Sequence, residues 1–309
     1  MIYLLLFAII VLTLLWSAQL WGYKEKFFEP ITPDVDHLFS ARCAPIELTH
    51  SSQASRAILM IHGFPSSPYP FRWAAQASHT KGYDVFVPLL PGFGTTPEDL
   101  KDTSFTQWFE FVEKLYLEKR EMYEKVFLVG TSMGGAMALK LAQKYNTSPL
   151  QPNGVCTVGA PVFLNDLFLG AVQKPAYYVM RLVSLFTYAL SPGVYIDERD
   201  ESESNDGEEF WVGYTGSFVQ GGVSLAYNLK QIRKDLGRIH APLLVIHDKR
   251  DKTIHYKNQQ EITSHVNSSH IESITTELTS DHNRHILLMY PSIRDTLIEQ
   301  MLTFFNSCS

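Results

Sequence analysis

Residues 125–145 read KVFLVGTSMGGAMALKLAQKY, and the stretch changes character in its middle. Lys125 to Gly130 is a short apolar run of the kind that makes a buried strand, whereas Gly134 to Tyr145 has the alanine-rich composition of a helix. Between them lies Gly130-Thr131-Ser132-Met133-Gly134, a G-x-S-x-G sequence followed by a further glycine, Gly135. A serine placed between strand and helix sits on a sharp turn where flanking side chains would clash, so glycines are needed beside it. In that context Ser132 reads as a nucleophile. The plain alternative is an ordinary serine capping a helix.

The same alternation extends outward on both sides. Ala57 to His62, Asp84 to Leu90, Gly154 to Gly159, Pro242 to His247 and Ile271 to Leu278 read as further strands. Phe71 to Lys81, Phe105 to Tyr123, Tyr256 to Val266 and Pro291 to Phe305 read as helices. Apolar strands separated by helices imply a mostly parallel sheet covered on both faces, an α/β fold. One stretch interrupts the pattern. Between Pro161 and Ala241 no clear strand of the sheet is expected, and Leu167 to Leu190 is rich in Leu, Phe, Tyr and Val. Asp197 to Glu209 then carries eight acidic residues against one arginine, so the net charge of −6 comes from this loop and the body is close to neutral. It lacks the D-x-D-x-D-G register of a calcium loop and reads as a solvated segment.

Composition excludes several classes. With 45% hydrophobic and 19% charged residues in 309, the chain can bury a full core and is not disordered. A sequence pI near 6.0 leaves no basic footprint for nucleic acid. Cys43, Cys156 and Cys308 form neither a C-x-x-C pair nor a disulfide framework, and no structural zinc is expected of them. Met1 to Tyr23 carries no charged side chain and is long enough, as one helix, to cross about 30 Å of hydrocarbon. A single-pass membrane anchor is the expectation, with a cleaved signal peptide, and so a secreted protein, as the alternative. Lys24 and Lys26 after the segment favour the cytoplasmic side for the catalytic domain. The expected organisation is anchor (1–23), linker with N-terminal strands (24–54), first part of the core (55–164), insertion (165–238) and second part of the core (239–309).

A serine nucleophile needs a base, and the base needs an orienting carboxylate. His285 follows the last strand and precedes the final helix, where a loop can deliver an imidazole to the sheet's carboxyl edge. His282, three residues earlier, is its competitor. His50, His240 and His270 read as surface or loop residues. The acid should follow the strand Pro242 to His247; Asp251 lies further out on that loop than Asp248, which is placed to shape the turn, and Asp166 is a weaker third candidate. An oxyanion needs two backbone N–H donors. Met133, after the nucleophile, supplies one. Phe64 in His62-Gly63-Phe64-Pro65 is the expected second, with His62 structural.

Together, His62-Gly63-Phe64, the loop Pro88-Leu89-Leu90-Pro91-Gly92-Phe93-Gly94-Thr95, the GTSMGG turn, Asp251 and His285 resemble a serine hydrolase of the α/β-hydrolase superfamily, and most of all its bacterial carboxylesterase and monoacylglycerol lipase branch. The likeness runs from about Ser55 to Phe305, with Asn165 to Arg238 matching only as a cap insertion. Two positions depart from the branch: Phe93 stands where P-G-H-G has histidine, and Asp248 where the late strand ends in glycine. The resemblance implies an α/β-hydrolase fold, a lid formed by Leu167 to Leu190, and hydrolysis of acyl or lipid esters without metal or organic cofactor. Halide or epoxide chemistry on this fold places Asp at the nucleophile position, so Ser132 disfavours both. A prolyl aminopeptidase is a second reading, although that group carries His-Gly-Gly-Pro-Gly against His62-Gly63-Phe64-Pro65-Ser66 here. A catalytically silent, membrane-tethered binding module is the third. It has no chemical need for nucleophile, acid, base and both donor loops together.

Overall fold

The structure is a computed structural model that describes residues 2–17, 23–25, 31–52, 54–164, 175–197, 211–279 and 283–308. Its centre is a seven-stranded sheet built from β1 (Ile46–Leu48), β2 (Arg56–Ile61), β3 (Asp84–Val87), β4 (Lys125–Thr131), β5 (Gly154–Val158), β8 (Leu243–Asp248) and β9 (Ile271–Thr276), in the spatial order β1-β3-β2-β4-β5-β8-β9. Only β1 runs antiparallel, against β3; each of the other neighbours is parallel. The inner strands are buried on both faces. Along β2, Ala57, Leu59 and Ile61 enter one apolar core while Ile58 and Met60 enter the other, and Val126 and Leu128 oppose Phe127 and Val129 in the same way along β4. A strand buried on both faces has no polar side to show, which is why these runs read as continuous apolar stretches.

Helices cover both faces. They are α2 (Arg72–Thr80), α3 (Phe105–Met122), α4 (Met133–Lys144), α7 (Lys257–His265) and α8 (Pro291–Ser307), each within two residues of its expected bounds at either end. The expected strand Asp84 to Leu90 stops at Val87, since Pro88 lacks the N–H a ladder requires. Between β5 and β8 the chain leaves the sheet as expected, but it also forms a separate two-stranded antiparallel sheet, β6 (Leu190–Ile196) and β7 (Val212–Ser217), beside α5 (Pro175–Val183) and α6 (Val219–Lys234). Residues 198–210, with most of the acidic loop, lie outside the described residues.

The N-terminal expectation requires correction. Helix α1 covers Ile2–Ser17, 16 residues, or about 24 Å at 1.5 Å per residue, short of a hydrocarbon core of about 30 Å. Among the described residues no helix is long and apolar enough to cross a membrane, so the anchor expected over Met1 to Tyr23 is not supported. The sequence reading added Ala18 to Tyr23 to the helix; residues 18–22 lie outside the described residues and Tyr23 is not helical.

The strand order reverses between β2 and β4: β3 lies to one side of this pair and β5 to the other. In open α/β sheets the crevice outside the carboxyl ends at such a reversal is where ligands bind. The loops leaving those two ends are His62-Gly63-Phe64 and the turn at Ser132.

Candidate active site

Ser132 stands between β4 and α4 with φ 51° and ψ −122°, a backbone conformation unfavourable for a residue with a side chain. Its N–H donates to the Val158 carbonyl at 2.9 Å, which ties the turn to the end of β5. It occupies the N-cap position of α4, yet its side chain makes no capping hydrogen bond, and it is partly exposed. A capping serine does the reverse. The turn is possible only with bare backbone around it. A methyl group on Gly134 would lie 1.9 Å from the Ile61 carbonyl oxygen, and one on Gly130 would lie 2.3 Å from Gly134 itself.

His285 and Asp251 meet across two loops. His285 Nδ1 donates to Asp251 Oδ2 at 2.7 Å. The other carboxylate oxygen accepts the Thr253 and Ile254 N–H groups at 2.8 and 2.9 Å. The loops are stitched together by Lys252 N–H to Asn283 C=O, 3.0 Å, and Arg284 Nε to Arg250 C=O, 3.0 Å. Burial by itself would raise the Asp251 carboxyl, but the charge of His285 and hydrogen bonds from His247, His285 and Ile254 outweigh it and hold the group at about 2. The strand end that receives the Ser132 N–H also borders the imidazole: a methyl on Gly159 would lie 3.1 Å from Nδ1 and Cε1 of His285. Ser132 and His285 thus flank the same two residues, Val158 and Gly159.

Asp248 has other work. One of its oxygens accepts Arg250 N–H at 2.8 Å; the other accepts Thr276 Oγ1–H and Leu278 N–H, both at 2.8 Å. It is fully buried and ties the loop after β8 to the carboxyl end of β9, a structural role its place at the strand end suggested. Asp166 and His282 lie outside the described residues.

The loop after β2 passes directly over the serine. A methyl on Gly63 would come within 3.0 Å of Ser132 Cβ and 3.7 Å of its Oγ. His62 is completely buried and holds this loop to its neighbour, its Nδ1–H donating to Gly63 C=O at 2.9 Å and its Nε2 accepting Leu90 N–H at 3.1 Å. Those partners define the neutral tautomer, and burial pushes its pKa down to about 4. Phe64 rests against Trp108, Phe93 and Phe218 with ring centroids 5.4, 6.0 and 6.0 Å away. Phe93, the departure from the expected P-G-H-G, is therefore one wall of an aromatic cluster and also meets His62 edge-on at 5.0 Å. Met133 opens α4, where backbone N–H groups have no partner inside the helix. Met133 directly follows Ser132, and Phe64 directly follows Gly63, the residue of the β2 loop that lies over Ser132.

The insertion sits on these same loops. Tyr214 of β7 donates its N–H to Pro65 C=O at 2.9 Å, and its hydroxyl joins Gly92 C=O and Thr95 N–H. Gly221 of α6 packs so closely on Phe64 that a methyl there would lie 3.0 Å from the ring.

One participant was missed from the sequence. His247 ends fully buried with Nε2 3.0 Å from Ile254 C=O and 3.3 Å from Asp251 Oδ2. The sequence signal was its spacing of four residues before Asp251, but a histidine at a strand end carries no period that separates it from core.

Comparison with known proteins agrees with this picture. Residues 52–285 match the family model described as serine aminopeptidase, S33. The chain is 38% identical over 88 residues to a thermostable monoacylglycerol lipase of Bacillus sp. (strain H-257), covering 28% of this chain and 35% of that one. It is 30% identical over 112 residues to a carboxylesterase of Bacillus subtilis (strain 168), covering 36% and 44%. The matched stretch thus spans less than half the length of each of these relatives. Among solved structures, one from the metagenome-derived lipolytic enzymes LipS and LipT superposes with a TM-score of 0.71 at 20% identity, covering 86% of this chain and 98% of that one.

Proposed function

Because the chain belongs to the serine aminopeptidase S33 family and has the α/β-hydrolase fold, we propose that it is a serine esterase that cleaves carboxylic acyl esters, monoacylglycerols or similar lipid esters among them. The observation that carries the reading is Ser132, held at φ 51° without a capping bond, beside the strand end that also borders the His285–Asp251 pair.

Ser132 Oγ attacks the ester carbonyl carbon while its proton passes to His285 Nε2. The negative oxygen that forms is met by the N–H groups of Phe64 and Met133, which need no rearrangement as charge develops. Collapse expels the alcohol, which takes the proton from His285. Water then enters, gives a proton to the same nitrogen as it attacks the acyl carbon, and that proton returns to Ser132 Oγ as the carboxylic acid leaves. Asp251 keeps Nδ1 protonated and aimed, so Nε2 is the nitrogen that exchanges the proton.

The acyl preference follows from the surroundings. Phe64, Phe93, Trp108 and Phe218 form an apolar wall behind the donor loop. The insertion, which acts as a lid in this reading, shows Tyr178, Val179 and Phe186 at 41%, 56% and 74% exposure. Each methylene buried against the exposed apolar side chains of the insertion is worth about 0.8 kcal/mol, so four extra carbons contribute roughly 3 kcal/mol. The names of the two curated relatives support ester substrates. The description of the family model favours a second reading, release of an N-terminal amino acid.

A fluorophosphonate probe and a substrate series separate these. The probe should label the wild type and not Ser132→Ala, and octanoyl esters should have a higher kcat/KM than acetyl esters. Absence of wild-type labelling would leave only a binding role; faster cleavage of prolyl amides than of any ester would establish the aminopeptidase.

A further inference from the structure

At the opposite end of the sheet from Ser132, three residues that serve no part of this chemistry converge. His50 follows β1, His79 lies in the last turn of α2, and Asp84 is the first residue of β3. One potential ligand atom from each lies within 4.8 Å of the others. The two imidazoles stack with centroids 4.0 Å apart and 29° between their planes. Two imidazoles and a carboxylate drawn from separate elements are a donor set suited to zinc and similar divalent ions.

The contacts around these groups fit that use. His79 Nδ1 faces Tyr83 C=O at 3.3 Å, so its N–H points there and Nε2 keeps its lone pair. Asp84 is nearly fully buried; its Oδ2 accepts the Tyr123 hydroxyl at 2.9 Å. Its Oδ1 accepts His50 N–H at 2.9 Å and lies 2.8 Å from His50 Nδ1. Partners of this kind, a carbonyl on the second imidazole nitrogen and a hydroxyl on the carboxylate, fix ligands for a metal.

We propose that His50, His79 and Asp84 form a site for one divalent transition ion of the zinc type. The ion takes the place of the proton between His50 Nδ1 and Asp84 Oδ1, which leaves to solvent, and His79 Nε2 closes onto it. Ligand atoms around zinc stand about 3.3 Å apart when bonds are 2.0–2.1 Å. Rotation of the two half-buried imidazoles supplies the adjustment, His50 Nδ1 opening away from Asp84 Oδ1 and His79 Nε2 moving in while Asp84 stays fixed, and their partial exposure leaves a fourth position for water. Its effect is mechanical: it clamps the edge strand β1 and the end of α2 to β3, remote from Ser132.

The test uses the full chain, stripped with a chelator and titrated with zinc chloride in a calorimeter. One ion should bind per chain at micromolar Kd, and the melting temperature should rise by several degrees. Cobalt(II) should give visible ligand-field bands. His50→Gln/His79→Gln should lose binding, shift and bands while its hydrolysis of a soluble ester stays at the wild-type rate; should that variant fold poorly, His79→Gln alone carries the test, with affinity lowered at least tenfold. No zinc binding by the wild type would overturn the proposal, as would unchanged stoichiometry and cobalt bands in the variants, which would put the ion on other histidines.

Discussion

Asp248, the last residue of β8, and Asp251, on the loop that follows, sit three residues apart with their carboxylates both buried, and their partners tell them apart. Asp251 shares Oδ2 with His285, while Asp248 spends its oxygens on the Arg250 N–H and on the end of β9. Asp251→Asn should therefore act mainly on kcat, lowering it by about 10⁴ because the amide leaves the imidazole in the wrong tautomer, with a stability loss confined to the carboxylate's charge interactions. Asp248→Asn should do the opposite, losing about 1–3 kcal/mol of stability with a nearly normal kcat. Measuring kcat and urea midpoints for both decides it; a folded but inactive Asp248→Asn beside an active Asp251→Asn would reverse the assignment. The pH dependence follows from the same groups. Asp251, held at about 2, adds stability that is present above the ordinary carboxylate range and is lost as pH falls toward 2. His62, pushed down to about 4, acts at higher pH: the unfolded chain takes up its proton near 6.5 and the folded one does not, so stability drops as pH falls from 6.5 to 4. In His62→Gln the urea midpoint should fall less steeply across that window. At this scale the sequence is informative about residue type and chain order. It is silent about His247 and about the pairing of His50 with Asp84, because both contacts are made by folding and neither has a local pattern.

The elements were legible wherever period, length and breakers agreed. The centres of β2, β4 and β8 are apolar because they are buried on both faces, and each is bounded by glycine, proline or charge. The hairpin β6–β7 was not legible. It holds Pro192 and Gly193 within β6, and residues of β6 are mostly exposed, so no alternation marks it. The glycines of the Ser132 turn lead to a prediction about packing of elements. Gly134→Ala would drive a methyl against the Ile61 backbone at 1.9 Å, where nothing flexible can yield. It should cost about 3 kcal/mol and displace α4 from the end of β2, with activity lost as well. Gly222→Ala on α6 is the contrast: its methyl would meet only Met180 Cε, the end of a flexible side chain, at 3.2 Å. That change should be neutral or stabilise by up to about 1 kcal/mol through helix propensity. Equal losses for the two variants in thermal unfolding would show that the tight contact at Gly134 is not what constrains the turn.

For the molecule as a whole, the N-terminal region divides into two parts with different physics. Helix α1 has no buried residue, and Ile2 and Trp16 are 71% and 77% exposed, so it contributes nothing to the body's core. Its composition suggested a span because hydropathy reports burial of some kind without reporting in what. The short segment 23–25 is different. The Tyr23 ring packs against Tyr227 of α6 with centroids 4.9 Å apart and planes tilted by 60°, and Arg181 of α5 lies over it. The Glu25 carboxylate accepts from Ser224 and Asn228 of α6 and from Thr106 of α3. Ser224 Oγ in turn accepts the N–H of Phe105 at the start of α3. The segment therefore bridges the insertion and the body, and a partly buried carboxylate with three donors leaves those donors unsatisfied when it is removed. Glu25→Ala should cost about 1–3 kcal/mol, and a double change with Asn228→Ala should cost less than the sum, since the two share one interaction. Truncations test the division directly. A chain beginning at Tyr23 should melt where the full chain does, whereas one beginning at Ile31 should melt several degrees lower, with faster amide exchange in α6. If both truncations melt alike, the bridge does not hold the insertion in place, and its stability rests on its other contacts with the body, among them those with Pro65, Gly92, Ser67 and Gln143.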